Sequence, residues 1–527
     1  MRLLLAAIHI EETPRAVPLG PAMLASMLKR ELPGKLQTDI LNLYLHQSPF
    51  ECADMILAGS PDFVGLSMYI WNRRLALDIA EILKQRMSGI IVFAGGPEAS
   101  TDCSGVMENS AIDFVLTGEC EETIVSAMDY LLAGGDPKEI PGVVCPAPID
   151  DLSKLPSPFL DGTLDPKDYS GILWEISRGC PFNCDFCYES RGAPGIRSFP
   201  PDRIRKELRF FGESGVDQVF VLDPTFNYNK KTAKEILRLI SEEAPDVHYS
   251  FEIRSESIDA EMAGLFAGVD CSLQIGLQSA SNDVLKNVGR SIAPDDFKSK
   301  VLLLHEAGVV YGFDLIYGLP GDTLKGFCNS LDFAMGLIPN HVDLFPLAVL
   351  PGTRLQETAP SFELDYQPDA PYQVVSSPGF READMARAAD IARAFDLFYN
   401  KGKAVPWFAM VLHAVDLAPS AFIKAFAGWF KEHPGEEIIS LQKAFISEVF
   451  GKHEKSFVIP LVTDIITYFG EFECLCDEDA TMQFNYNPLD LMEQLESGVT
   501  DLEELALLLP KQSCSASISF SDLREIK

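Results

Sequence analysis

Two successive series of short apolar runs, each alternating with amphipathic stretches, constrain the fold of this chain more than any other feature. In residues 1–140 the apolar runs indicate strands at Leu3–Ile8, Gln37–Leu43, Phe63–Ser67, Ile90–Ala94 and Phe114–Leu116. Helical spacing lies between them, over Pro21–Leu32, Glu51–Leu57 and Arg74–Lys84. Strand–helix alternation predicts a parallel sheet with helices on both faces, so we predict a doubly wound, Rossmann-like domain here.

The second series occupies residues 171–365. Its predicted strands are Ile172–Ser177, Gln218–Leu222, Tyr249–Ile253, Ser272–Gly276, Tyr311–Ile316 and Val342–Leu347. Helical stretches separate these six strands, which are fewer than the eight of a closed barrel. We therefore predict a partial (β/α)6 barrel whose open side admits a bulky substrate or another domain.

Two further segments complete the predicted organisation. Residues 141–170 are rich in Pro and Asp, which indicates an ordered linker between domains. From residue 366 to 527 the pattern becomes mostly helical, with no clear element in the acidic tail from Glu471. A chain of 527 residues is too long for one ordinary core, so about three domains are expected.

Charge and hydropathy restrict the possible partners. The formal net charge of −34 disfavours nucleic acid and anionic membranes, since both surfaces would repel the chain. The first apolar run is short and leads into Glu11 and Glu12, which favours a buried strand over a signal peptide. The stretch 404–430 comes nearest to a membrane span, but charged residues interrupt it. Scattered cysteines fit a reducing compartment, so we predict a cytoplasmic location.

Three cysteines give the sharpest chemical signal. Cys180, Cys184 and Cys187 lie in one loop after the first strand of the second series, where the catalytic loops of such barrels lie. Three thiolates leave one iron of a cubane cluster open, and that iron could take a bidentate amino-acid ligand. A structural zinc site is the alternative, but it needs four ligands, and the next Cys or His residues, Cys145 and His248, are distant.

This Cys-x3-Cys-x2-Cys loop resembles the hallmark of the radical S-adenosylmethionine (SAM) superfamily. The resemblance covers about residues 172–355 and includes turns at successive strand ends: Val221–Phe226, Gln274–Ser279, Gly318–Gly321 and Leu350–Thr353. It implies a [4Fe-4S] cluster held by the three cysteines, with SAM at the open iron. It also implies that the cluster reduces SAM to give a 5′-deoxyadenosyl radical, which takes hydrogen from a substrate carbon. A flavodoxin- or ferredoxin-type electron donor is expected.

The same resemblance implies further cofactor contacts, although aromatic residues in a loop can also serve packing alone. The aromatic residues beside Cys187 would shelter adenine, the turn after the second strand would lie near the methionine amino group, and a polar pair after the third strand would lie near the ribose and carboxylate. A glutamine belongs to the segment beside the fourth strand. In this order, the residues are Phe186, Tyr188, Asp223, Glu252, Arg254 and Gln278.

The first domain resembles the cobalamin-binding domain of the class B radical SAM enzymes. The matching pieces are Pro18–Pro21, Gly95–Glu98 and Gly118-Glu119. Ligands of doubly wound sheets bind beyond the carboxyl ends of the strands, where glycine lets the backbone approach a large macrocycle. The predicted contacts are Gly95, Gly96, Gly118 and Glu119, with Ser67 and Tyr69 in a segment, 67–72, that would lie under the corrin or simply pack as a loop.

One motif of many cobalamin proteins is missing. The Asp-x-His-x-x-Gly sequence that supplies histidine to cobalt is absent, and His9 and His46 lie outside such a context. The prediction is therefore cobalamin without a histidine ligand from that motif.

Our leading hypothesis is a cobalamin-dependent radical SAM enzyme that methylates an unactivated carbon of a small or lipid-like molecule. The first alternative is a radical rearrangement or cyclisation with cobalamin accessory or lost, and the second is a non-catalytic iron–sulfur redox sensor. The methylthiotransferases that modify transfer RNA place three cysteines in their first domain. The contexts of Cys52, Cys103 and Cys120 do not resemble theirs.

Overall fold

The structure is a computed structural model. It describes residues 1–140, 143–144, 147–189, 195–451, 455–471, 480–512 and 514–518. The chain forms two compact units, each built from several segments. The first contains residues 1–275, 286–309 and 347–378, and the second contains residues 276–285, 310–346 and 379–527.

The first series folds as a doubly wound parallel sheet within the first unit. The strands are β1 (Arg2–His9), β2 (Gln37–Tyr44), β3 (Phe63–Ser67), β4 (Ile91–Gly95), β5 (Phe114–Leu116) and β6 (Val143–Val144). The helices are α1 (Leu19–Glu31), α2 (Pro49–Ala58), α3 (Arg73–Arg86), α4 (Pro97–Thr101), α5 (Cys103–Met107) and α6 (Glu121–Leu132). The strand order is β2-β1-β3-β4-β5-β6, with parallel pairing throughout. The predicted fold class is confirmed here, and each of the five predicted strands agrees within one residue at either end.

Burial on both faces explains why the interior of β1 is apolar at every position. In β1, Leu4, Ala6 and Ile8 belong to one apolar cluster. Leu3 and Leu5, which alternate with them, belong to a second cluster. Successive side chains of a strand point to opposite faces, so helices must cover both sides of the sheet.

The second series gives the six predicted strands, with short strands in the connecting loops. The strands are β7 (Gly171–Trp174), β8 (Ser177–Arg178), β9 (Arg197–Ser198), β10 (Gln218–Val221), β11 (His248–Ile253), β12 (Cys271–Gln278), β13 (Val310–Tyr317), β14 (His341–Pro346), β15 (Asp365–Tyr366) and β16 (Val374–Ser376). The helices are α7 (Pro201–Ser214), α8 (Lys230–Glu243), α9 (Ala260–Ala267), α10 (Asn282–Lys286), α11 (Pro294–Glu306), α12 (Leu324–Met335) and α13 (Arg354–Thr358).

Within each compact unit, neighbouring strands of this series pair in parallel. In the first unit β7 pairs with β10, β10 with β11 and β11 with β12, all in parallel. In the second unit β13 pairs with β14 in parallel. Along β11, Tyr249, Phe251 and Ile253 are buried, whereas Ser250 and Glu252 are more accessible. The six strand–helix units of the predicted partial barrel are therefore present.

The carboxyl-terminal region is mostly helical, as predicted, but its tail differs from the prediction. The helices are α14 (Glu382–Phe395), α15 (Phe408–Val415), α16 (Pro419–Glu432), α17 (Ile438–Gly451), α18 (Ile459–Glu471), α19 (Pro488–Glu496) and α20 (Leu502–Leu508). Two strands, β17 (Ala480–Phe484) and β18 (Cys514–Ile518), form an antiparallel pair, and α19 and α20 lie between them in the sequence. The expectation of a tail without clear elements was wrong. Its two strands are far apart in the chain, so no local pattern signals their pairing.

Within the described residues no single helix is long and apolar enough to cross a membrane. The pair α15 and α16 reaches the required length and composition only across a bend of 93°.

Candidate active site

The cysteine loop is anchored on two sides by later segments of the same compact unit. Its central residue, Asp185, donates its backbone N–H to Val288 O at 3.0 Å and accepts from Leu355 N at 2.8 Å. Cys187 N donates to Cys184 O at 3.1 Å, which closes a turn between two of the cysteines. The three thiols are free and half-buried. A loop held in this way presents its sulfurs from a fixed backbone.

Two arginines lie beside the thiols. Arg290 Nη1 is 3.9 Å from Cys184 Sγ. The Arg254 guanidinium carbon is 3.8 Å from the centroid of the Phe182 ring. The guanidinium of Arg254 also interacts electrostatically with Cys180 and Cys184. Burial raises the pKa of the Cys187 thiol to about 11. Two guanidinium groups therefore lie beside the sulfurs that are predicted to bind iron.

Asp223 fixes the backbone that enters the loop. Its carboxylate accepts hydrogen bonds from Ile176 N at 2.9 Å and Ser177 N at 3.1 Å, and also from Ser177 Oγ. Burial raises the pKa of Asp223 to about 6. These contacts explain why β7 ends at Trp174 rather than at the predicted Ser177. The predicted contact of Asp223 with the methionine amino group stays a prediction.

The other predicted SAM contacts in the first unit lie around this loop. Phe186 and Tyr188 are half-buried, and a Cβ atom added at Gly352 would lie 3.3 Å from the Tyr188 ring. Glu252 is the next-to-last residue of β11 and is exposed, and burial by the surrounding protein raises its pKa, with a smaller contribution from Glu189. The predicted contact of Glu252 with SAM stays a prediction.

Asn227 is a residue that sequence reasoning missed. It is fully buried, accepts from Arg254 N at 3.0 Å and donates from Nδ2 to Arg254 O at 2.7 Å. This paired contact fixes the backbone of Arg254, whose guanidinium also binds Glu256 at 2.6 Å. A buried asparagine directly after a strand-end turn is the only sequence signal that could have suggested it.

Gln278 lies in the second unit at the end of β12. It has a left-handed backbone with φ of 59°, which is uncommon outside glycine, and its side chain is buried. Among the described residues its Oε1 atom has no hydrogen-bond partner. Backbone strain of this kind is common at ligand sites, so Gln278 stays a predicted cofactor contact.

The carboxyl edge of the first sheet has a close backbone contact at Gly96. This residue has φ of 108° and ψ of 178°, a region that only glycine occupies readily. A Cβ atom there would lie 2.7 Å from Met68 O. Met68 N in turn donates to Gly95 O at 2.7 Å. The ends of β3 and β4 therefore approach each other closely, and the contact of Gly95 and Gly96 with a macrocycle stays a prediction.

We expect Gly96→Ala to weaken cobalamin retention and to lower the free energy of unfolding by about 1–3 kcal/mol, because the backbone region is strained and Met68 would have to move. Corrinoid absorbance per chain and chemical denaturation measure the two effects. Gly89→Ala is the matched control, since nothing lies within 4 Å of its added Cβ. Equal corrinoid content in the two variants would contradict the predicted site.

An aromatic pair lies next to this edge. Tyr69 and Trp71 stack with ring centroids 4.5 Å apart, and Trp71 is 44% exposed. Asn72 is fully buried, accepts from Tyr69 N at 2.8 Å and donates to Ile8 O at 3.0 Å, so it ties the segment to β1. Ser67 Oγ accepts from Ile8 N at 3.2 Å. Segment 67–72 thus presents an apolar surface on a buried polar support.

Glu119 has a different environment from the one expected. Its carboxylate binds Arg197 through two hydrogen bonds of 2.8 and 2.5 Å, and Arg178 Nη1 lies 3.6 Å away. Arg178 also binds Glu121 at 2.6 Å and Glu175 at 2.9 Å. Arg178 precedes the cysteine loop and Arg197 follows it. The turn at Gly118-Glu119 is therefore bonded directly to both flanks of that loop.

The implied cofactors fit these residues. Cys180, Cys184 and Cys187 offer three thiol sulfurs from one loop. Three thiolates can each bind a different iron of a cubane and leave the fourth iron open. At the first sheet, Gly118 has φ of 63° and open space beside it, which leaves room for a macrocycle edge.

The first-domain cysteines do not form a second site in the described part of the chain. Cys52 lies in α2, Cys103 begins α5 and Cys120 precedes α6. Burial raises the pKa of Cys52 to about 11 and that of Cys120 to about 12, which keeps both protonated. They behave as packing residues.

Two family models match the chain, one in the first sheet domain and one in the region that contains the cysteine loop. The model described as the B12 binding domain matches residues 12–127. The model described as the radical SAM superfamily matches residues 174–334. A chain with both domains has a [4Fe-4S] cluster, SAM and cobalamin as its cofactors. It is an enzyme, and the redox-sensor alternative loses its support.

Curated relatives agree with both matches. The uncharacterized methyltransferase PH0819 of Pyrococcus horikoshii is 29% identical over 361 residues, 65% of this chain and 78% of that protein. The cobalamin-dependent radical SAM methyltransferase TokK of Streptomyces tokunonensis is 28% identical over 58% of this chain and 49% of that protein. The 2-(S-pantetheinyl)-carbapenam-3-carboxylate methyltransferase of Streptantibioticus cattleyicolor is 27% identical over 55% and 47%. The chain spans about half the length of the latter two relatives.

A solved structure shows the same fold. The cobalamin-dependent SAM radical enzyme OxsB, with aqua-cobalamin and SAM bound, matches 96% of this chain and 82% of its own with a TM-score of 0.62 and 16% identity. Both family models, the named relatives and this fold agree with the predicted fold class and cofactors. The chain is therefore a radical SAM enzyme with a B12 binding domain, and it is similar to cobalamin-dependent radical SAM methyltransferases.

Proposed function

We propose that this protein transfers a methyl group from SAM to an unactivated carbon of a small or lipid-like substrate. When bound, the cluster and SAM supply a 5′-deoxyadenosyl radical that removes a hydrogen atom, and cobalamin supplies the methyl group. The observation that carries the proposal is the direct bonding of Glu119 to Arg178 and Arg197. This contact supports the proposal because a corrin bound at the turn Gly118-Glu119 would lie next to the cluster loop, as radical formation and methyl delivery at one carbon require.

The chain's own residues would bind and orient the reactants. Cys180, Cys184 and Cys187 are the proposed iron ligands. Leu222, 45% exposed, and Tyr228, 47% exposed, follow β10. Exposed apolar side chains at strand ends favour a substrate with an apolar part and help to exclude water from the radical. An electron donor of the flavodoxin or ferredoxin type and a cytoplasmic location remain part of the proposal, as does the absence of a nucleic-acid partner.

The experiment uses anaerobically purified protein, reconstituted with iron, sulfide and cobalamin and supplied with reductant and SAM carrying a deuterated methyl group. Candidate substrates are apolar small molecules and lipids. We expect S-adenosylhomocysteine and 5′-deoxyadenosine to form together, with deuterated methyl on the consumed substrate. Substrate consumption with 5′-deoxyadenosine but without S-adenosylhomocysteine would instead establish the rearrangement or cyclisation alternative.

A further inference from the structure

A short segment after β12 packs directly on the cysteine loop. Besides the Asp185 N–Val288 O hydrogen bond of 3.0 Å, Gly289 lies so close that an added Cβ would be 2.6 Å from Asn183 O. Gly289 has φ of 68°, which also favours glycine. The backbone of this segment is thus fixed against the loop, and so is the starting point of the next side chain, Arg290.

Arg290 reaches back to one of the proposed iron ligands. Its Nη1 atom donates toward Cys184 Sγ at 3.9 Å, and the side chain is half-buried. The other arginine near the thiols, Arg254, forms an ion pair with Glu256 at 2.6 Å, and Glu256 also interacts electrostatically with Arg290. In the described part of the chain, Arg290 is the guanidinium with a direct N–H contact to a cysteine sulfur.

Hydrogen bonds to ligating sulfurs and nearby positive charge set the reduction potential of an iron–sulfur cluster. Reduction adds one negative charge, and a half-buried cation a few ångströms away stabilises that charge more than it would in water. We propose that Arg290 raises the reduction potential of the cluster through its N–H contact with the sulfur of Cys184. The proposal rests on the assignment of Cys180, Cys184 and Cys187 as the iron ligands, and it makes Arg290 a positioning residue for electron entry.

The test is a redox titration of the reconstituted protein, monitored by electron paramagnetic resonance in the absence of SAM, with iron content measured on the same samples. Arg290→Gln removes the charge and Arg290→Lys keeps it. We expect Arg290→Gln to bind the same iron but to be at least about tenfold harder to reduce, which is a midpoint lower by about 59 mV for one electron. Arg290→Lys should show a smaller shift.

Arg354→Gln is the matched control. Arg354 also contacts the cysteine loop, with Nε 3.7 Å from Asp185 Oδ1, but its side chain is 62% exposed. We expect its removal to leave the midpoint close to that of the parent. An unchanged midpoint in Arg290→Gln would overturn the proposal, and so would an equal shift in Arg354→Gln. Loss of iron in Arg290→Gln alone would also overturn it, because Arg290 would then be needed to form the loop. None of these readings involves methyl transfer, so failure of the proposed function is measured separately.

Discussion

Replacement of Cys184 by alanine should abolish both the cluster and the formation of 5′-deoxyadenosine. Cys184 is the middle one of the three proposed ligands, and its carbonyl accepts from Cys187 N, so the loop backbone remains closed when only the sulfur is removed. Two thiolates then remain for the cluster, which leaves two of its four irons without a protein ligand. Iron content, visible absorbance and 5′-deoxyadenosine per chain should all fall to background.

Cys103→Ala is the control for this experiment. Cys103 is also a free and half-buried thiol, but it begins α5 in the first sheet domain. We expect the parent's iron content and activity in that variant. If Cys184→Ala still made 5′-deoxyadenosine, the ligand assignment would be wrong. Loss of iron in Cys103→Ala would indicate a second cluster in the first domain, as in the methylthiotransferases that modify transfer RNA.

Replacement of Arg178 by methionine should produce the largest loss of stability. The Arg178 side chain is 11% exposed and binds Glu121, which is 7% exposed, together with Glu175. Removing one partner of a buried ionic group leaves charges without compensation and costs about 3–5 kcal/mol. Chemical denaturation of the apo-protein should show this decrease in the free energy of unfolding.

The loss should depend on pH. Burial raises the pKa of Glu175, and the charge of Arg178 opposes that rise. Without Arg178 the folded-state pKa lies higher still. A carboxyl group with a raised folded-state pKa destabilises the fold at high pH and ceases to do so below its unfolded value, so the deficit of Arg178→Met should be larger at pH 8 than at pH 5.

Arg205→Met is the matched control for stability. Arg205 pairs with Glu243 at 2.6 Å, but its side chain is 47% exposed. Exposed ion pairs contribute at most about 1 kcal/mol, so the control should lose little at either pH. A deficit of Arg178→Met no larger than that of the control would contradict the buried network.

The fold could be predicted because it depends on local patterns. Apolar runs in β1 or β13 follow from burial on both faces of a parallel sheet, and the order of strands and helices limits the possible architectures. Strand pairing between distant segments produces no local sequence pattern. β6 lies in a stretch that reads as a Pro-rich linker, yet it pairs with β5. β17 and β18 were missed for the same reason.

The site was only partly predictable. The spacing of Cys180, Cys184 and Cys187 is a local feature that carries its own chemistry. Arg290 contacts Cys184 from 106 residues away, and no periodicity or motif spacing reports such a contact. Glu119 was predicted as a macrocycle contact because it follows a glycine turn at the end of a strand. Its two arginine partners lie 59 and 78 residues further on, and only the folded chain brings them together.

The central claim is that three cysteines hold a four-iron cluster and leave one iron open for SAM. Mössbauer spectroscopy of iron-57-reconstituted protein, before and after addition of SAM, tests it most directly. We predict a [4Fe-4S] signal in which one iron site changes when SAM is added, because that iron gains new ligands. A spectrum that stays the same with SAM, or a protein that takes up zinc in place of iron, would contradict the account.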